Sequence, residues 1–196
     1  MYKKSVFFFV FFLFVNLELL AKTKGFITPE QIKKVELIYG KEGKNRLLQF
    51  NKMLLNAQDK SIFVKLKLVN RFFNNLTYKQ DSIHWKEKDY WASPFEFIGS
   101  GAGDCEDYAI AKYFALRLIG VDSSKLQVSY ALVTNESKKD NLHHVVLNYY
   151  HSPSLTPVVL DNLNKKIQLA TKRKDIKLYR SISIAKIIVL QKLFWS

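Results

Sequence analysis

Apolar positions recur at helical spacing from residue 28 to about residue 119, then give way to alternating β-rich runs. Thr28-Pro29-Glu30 reads as a helix start, with Thr28 as N-cap and Pro29 at the first helical position. Ile32, Val35, Ile38 and Tyr39 follow on one face, and Gly40 and Gly43 punctuate the run. A second helix is predicted from about Asn45 to Asn56, and a third, capped by Asp59, from Ile62 to Phe73. Residues 77–103 read as irregular, and Ser93-Pro94 argues against a helix there. Asp104 to Ile119 is the clearest helix. Ala109, Ile110, Tyr113, Phe114 and Leu118 line an apolar stripe on it, and Gly120 stops it. Leu126–Thr134, His143–Tyr150 and Pro157–Leu160 read as strands, with short strands expected at Ile167–Leu169 and Leu178–Ile182. Helices followed by strands predict one α+β domain. The segment from Ser183 to Trp195 fits a strand or a helix end equally well.

The first 21 residues have a different character. Lys3 and Lys4 precede an uninterrupted apolar run, Val6 to Val15, which Asn16 and Glu18 end before Ala21. A run of about ten residues is half of what a spanning helix needs, so residues 1–21 are expected to be a secretory signal peptide, with an uncleaved anchor as the rival, and 22–196 the domain. Export implies an oxidising compartment. There, the single cysteine of the chain, Cys105, has no internal partner and is either inert or kept for its reactivity. The net charge of +14 falls by only one when the leader is removed, and it favours acidic partners through long-range steering. No nucleic-acid-binding motif accompanies that charge, so nucleic acid is not an expected partner. The Lys/Arg surplus, including Lys165–Lys166 and Lys172–Lys174, reads mostly as a solvated face.

Cys105 sits at the first turn of the predicted 104–119 helix, where free N–H groups and the helix dipole favour a thiolate. An activated thiol also needs a base and a group that orients the base. The candidate bases are His84, His143, His144 and His151. His143 and His144 are strand neighbours, so at most one of them faces the cysteine helix. His84 and His151 read as solvent-facing, and Trp85 and Trp91 as packing anchors. Asp161, closing the run PVVLD, is the candidate orienting group. Gly99, Gly101 and Gly103 are expected to let a substrate backbone approach the thiol.

The segment DYWASPFEFIGSGAGDCEDYAIAKYFAL, with HHVVLNYY and PVVLDNL downstream, resembles the bacterial transglutaminase-like cysteine proteinases over about residues 69–162. The resemblance implies a papain-like, transglutaminase-type fold, in which an antiparallel sheet packs on the cysteine-bearing helix. It implies a Cys105–His144–Asp161 triad; His144 is preferred because the family's histidine directly precedes the apolar run, here Val145-Val146-Leu147. It implies calcium as cofactor, with Asp104, Glu106 and Asp107 as ligands. It further implies a periplasmic endopeptidase that cuts the N-terminal region of a large secreted RTX-type adhesin, releases it and so disperses biofilm. An inner-membrane cyclic di-GMP receptor is expected to sequester the enzyme. The apolar, basic tail RSISIAKIIVLQKLFWS departs from the family pattern.

The carboxylates beside Cys105 suit a helix N-terminus, where each contributes about 0.3–1 kcal/mol. Three of them around one thiol exceed what capping needs, and as like charges they oppose thiolate formation. A calcium ion, which takes six to eight oxygen ligands, reverses the sign of that field. Two rival readings remain at this stage. One is a transglutaminase or amidase using the same triad. The other is a non-catalytic basic module that binds the cell envelope.

Overall fold

The computed structural model describes residues 25–135 and 140–183. The expected leader at 1–21 and all but the first residue of the ambiguous 183–195 segment lie outside the described residues. The first helix, α1, spans Pro29–Ala57 and begins with a capping box between Thr28 and Gln31. Gly40, at φ 67° and ψ −168°, breaks it into two arms, which matches the two helices expected on either side of the glycines. Helix α2 (Ile62–Phe73) starts after Ser61 rather than at Asp59.

The stretch expected to be irregular contains β1 (Thr77–Tyr78), α3 (Asp81–His84), α4 (Pro94–Ser100) and β2 (Ala102–Gly103). Helix α4 corrects the reading of Ser93-Pro94 as a barrier. Ser93 accepts from the Glu96 N–H, Glu96 returns the bond to the Ser93 N–H, and Pro94 occupies the first helical position. A proline there loses no hydrogen bond, because that N–H has no partner within the helix. Short parallel pairing of β1 with β2 ties the end of α2 to the segment entering the cysteine helix, α5 (Cys105–Leu118).

The second half forms a five-stranded antiparallel sheet in the order β6-β5-β4-β3-β7. Its strands are β3 (Leu126–Asn135), β4 (Asp140–Tyr149), β5 (Val158–Leu160), β6 (Gln168–Leu169) and β7 (Ile176–Ser181). Helix α5 packs on β4, so the architecture is the expected α+β one, with helices first and the sheet laid on the cysteine helix. Leu47, Phe50, Leu54, Val69, Phe73, Phe97, Ile110, Leu116 and Leu147 are among the core side chains closed off from solvent. Burial of this order is worth about 1.5–3 kcal/mol for each large aliphatic or aromatic side chain. It holds α5 rigidly enough to present its N-terminus as a fixed platform.

Candidate active site

The N-terminus of α5 is built by tight internal packing. A Cβ on Gly99 would lie 2.3 Å from the Tyr39 ring, and one on Gly103 would lie 2.3 Å from Asp107 Oδ2. Gly101 takes φ 76° as the C-cap of α4, and Arg46 donates to the carbonyls of Ile98, at 2.8 Å, and Gly99. These glycines therefore let the chain approach itself, and the expectation that they serve a substrate backbone is corrected. Asp107 completes the turn. It is 1% exposed, and it accepts from Ala92 N at 2.8 Å and Asp104 N at 3.2 Å.

Cys105 opens on a cleft of about 430 Å³, with Tyr78, Trp91, Tyr130, His143 and His144 among its walls. Its thiol donates to Glu106 Oε2 at 3.1 Å. Burial, and after it the Glu106 charge, pushes the thiol well above its usual range. In this arrangement Glu106 holds the proton-bearing side of Cys105.

His143 and His144 share the cleft but have different surroundings. His143 is exposed and its Nδ1 lies 3.1 Å from the Tyr179 hydroxyl. His144 is 3% exposed, and its Nε2 lies 2.7 Å from Asp161 Oδ1. The register explains why His144 meets Asp161. Leu147 pairs with Leu160, so Asp161 continues β5 on the sheet face that carries Val146 and His144. With Nε2 committed to Asp161, Nδ1 is the ring nitrogen left for another partner. Of the other histidines, His151 is exposed as expected. His84 is not solvent-facing. It is half-buried with its ring edge-on to Trp85, and burial lowers its pKa.

Both carboxylate oxygens and the backbone carbonyl of Asp161 are held by hydrogen bonds. Oδ1 also accepts from Leu163 N at 3.0 Å, Oδ2 accepts from Arg173 Nη2 at 2.7 Å, and the backbone carbonyl accepts from Asn74 Nδ2 at 2.7 Å. Burial would raise this carboxyl, but the bonds from His144, Arg173 and Leu163 outweigh it and hold the group well below the usual carboxylate range. Lys112, on α5, lies fully buried near the same charge. Burial lowers it to about 7 against the pull of Asp161. Arg173 was hidden in the run KRK, which read as a solvated face; it is 3% exposed and ion-paired. Nothing local in the sequence distinguishes it from Lys172 and Lys174.

A second cluster surrounds the thiol. Ligand atoms of Asp104, Cys105 and Glu106 lie within 4.8 Å of one another, as do those of Asp81, Asp104 and Asp107, and those of Asp81, Asp89 and Glu106. Asp81 was missed in the sequence because it lies in a polar stretch with no motif, and Asp89, although it opens the DYWASP segment, because nothing local sets it apart from a surface acid. Asp81 Oδ1 and Asp104 Oδ1 are buried without a hydrogen-bond partner among the described residues. Burial, with Glu106 next, pushes Asp104 up to about 9, and burial pushes Asp107 up to about 8. Orphaned, mutually repelling carboxylate oxygens are a donor set that suits a hard divalent cation.

A thiol on a helix tip and an imidazole on the facing antiparallel sheet, lining one cleft, with a carboxylate bonded behind the imidazole, are the parts of a papain-like cysteine hydrolase. The chain belongs to the bacterial transglutaminase-like cysteine proteinases: the model of that family matches residues 42–181. Among solved structures it is similar to calcium-bound LapG from Legionella pneumophila, with 38% identity, a TM-score of 0.69, and coverage of 80% of this chain and 84% of that one. It is similar also to LapG of the same organism without that qualification, at 37% identity and TM-score 0.69, covering 82% of this chain and 86% of that one. An EGTA-treated form matches at 37% identity and TM-score 0.69, with 82% and 84% covered. No curated protein matches the chain.

Proposed function

We propose that the protein is a calcium-dependent periplasmic cysteine endopeptidase that cuts the N-terminal region of a large RTX-type surface adhesin, releasing it and dispersing biofilm. The observation that carries this reading is that Cys105, at a helix tip, and His144 line one cleft, with Asp161 buried behind it and bonded to His144. Membership of the proteinase family supports the reaction class, and the calcium-bound LapG neighbour supports the cation.

The chemistry is acyl transfer. His144 Nδ1 takes the thiol proton while Nε2 stays on Asp161, and the sulfur attacks the scissile carbonyl. The Cys105 backbone N–H, at the unpaired first turn of α5, is placed to hold the oxyanion. His144 gives its proton to the leaving amine, and a thioester remains. Water, deprotonated by His144, then attacks the thioester. The carboxylate product leaves, and the proton returns to sulfur. Asp161 stays ionised throughout and stabilises the imidazolium. Asp104, Glu106 and the nearby Asp81 are the residues that would hold calcium, with Asp89 and Asp107 at hand. Bound there, a calcium ion would offset the carboxylates that oppose the thiolate, and Glu106 as one of its ligands would no longer hold the Cys105 proton. The inhibitory partner in this reading is an inner-membrane cyclic di-GMP receptor.

The test is cleavage of an adhesin N-terminal fragment containing a dialanine site by the full chain, with calcium or with EGTA. Two new fragments in calcium alone, absent with Cys105→Ala, are expected. Intact substrate in calcium, or transfer of an added amine onto the fragment in place of hydrolysis, overturns the endopeptidase reading.

A further inference from the structure

The active-site carboxylate does not end the chain of charges. Arg173 Nη2 bridges two acids, donating to Asp161 Oδ2 at 2.7 Å and to Asp175 Oδ2 at 2.7 Å. Arg173 Nε donates to Asp175 Oδ1 at 2.8 Å. The Arg173–Asp175 pair is therefore two-pronged, which fixes the guanidinium plane before it meets Asp161. Asp175 keeps 45% of its side chain in solvent, while the side chains of Arg173 and Asp161 keep 1% and 0%. The anchor is wet and the working end is dry.

We propose that Arg173 is a positioning residue for the Cys105–His144–Asp161 group, aiming the Asp161 carboxylate at His144, with Asp175 holding Arg173 in place. This rests on the reading of that group as catalytic. The stereochemistry follows from the bonds. Because Arg173 takes Oδ2, Oδ1 is presented to His144 Nε2, and the imidazole is fixed with Nδ1 as its working nitrogen. Removing the guanidinium leaves a buried oxygen unsatisfied, and that oxygen competes for the Nε2 proton or rotates toward solvent. Either change misplaces the imidazole, and outer partners of this kind are typically worth about 10- to 100-fold in activity.

A purely structural clamp makes a different prediction. Arg173 and Asp175 also tie the turn before β7 to the end of β5, so Arg173→Met is expected to lower the melting temperature under both accounts. The readout that separates them is the second-order rate at which iodoacetamide alkylates Cys105 in calcium-loaded full chain, measured well below the melting temperature. The rate needs no knowledge of the natural substrate. Arg173→Met should slow alkylation about 10- to 100-fold, and Asp175→Asn should slow it less. Millimolar guanidinium added to Arg173→Ala should restore much of the lost rate without restoring the melting temperature in proportion. A folded Arg173→Met protein that alkylates at the wild-type rate, or an Arg173→Ala protein that guanidinium leaves unchanged, overturns the proposal. Failure of the underlying reading looks different: wild-type Cys105 then alkylates no faster than a cysteine in an unstructured peptide.

Discussion

At the helix end of the cleft, the carboxyls of half-buried Asp104 and buried Asp107 are pushed up to about 9 and about 8. At the sheet end, Asp161 is buried to 1% and is held below the usual carboxylate range. Burial raises all three. The difference lies in what surrounds them. Asp161 has an arginine and a histidine supplied by the chain, whereas Asp104 and Asp107 face Glu106 and Asp81. The sheet end pairs its carboxylate with cations of the chain itself, whereas among the described residues the helix-end carboxylates have no ion pair. The calcium proposed above would act at the second kind of site and not at the first.

Breaking the reactive pair itself should have the largest effect. Cys105→Ala and His144→Ala should each lower cleavage by about a thousandfold or more, with far-ultraviolet circular dichroism unchanged. Retained cleavage in either would place the chemistry elsewhere.

Next come substitutions confined to the helix end. Calcium is expected to raise the melting temperature of the wild type and to stimulate its cleavage; Asp104→Asn and Glu106→Gln should abolish that rise and most of that stimulation. The same calcium titration applied to Asp175→Asn, at the sheet end, should show the full rise. An undiminished rise in Asp104→Asn with Glu106→Gln would detach the cation from this cluster.

The two ends also predict opposite responses to pH. The native value of Asp161 lies below its unfolded value of about 3.9, so its contribution to stability is complete above that pH and is lost as pH falls toward the native value. Asp104 and Asp107 lie above their unfolded values, so between about pH 4 and pH 9 the native state holds more protons than the unfolded one. Without calcium, stability should therefore fall as pH rises through this window. With calcium, the slope should flatten. Melting temperatures across the range, with and without EGTA, check both signs; a slope that EGTA leaves unchanged would remove the contrast.

The smallest effect belongs to His143. It is exposed, and among the described residues its ring nitrogen is bonded to Tyr179, itself exposed, so His143→Ala should change kcat by about twofold at most, in line with a surface substitution.

Much of this was legible in the sequence because local rules sufficed. The α5 helix, its stop at Gly120 and the strand pair carrying His144 follow from periodicity and turn residues. The capping box at Ser93 was also local, but proline was read as a breaker when its place at the first helical position makes it a starter. The rest depended on tertiary contacts that no local pattern encodes. Arg173 resembles its lysine neighbours until β5 and the turn before β7 come together. Asp81 and Asp89 resemble surface acids until the polar segment between β1 and α4 folds over α5. Gly99 and Gly103 are small because Tyr39 and Asp107 press on them, and Tyr39 lies in a different helix.

The central claim is that the sulfur of Cys105 becomes a nucleophile when the helix-end carboxylates are neutralised. Its most direct measurement is the pH profile of Cys105 alkylation by iodoacetamide in the full chain, in calcium and in EGTA. The account predicts a midpoint at least one pH unit lower in calcium, with that shift lost in Glu106→Gln. Coincident profiles in the two conditions would contradict it.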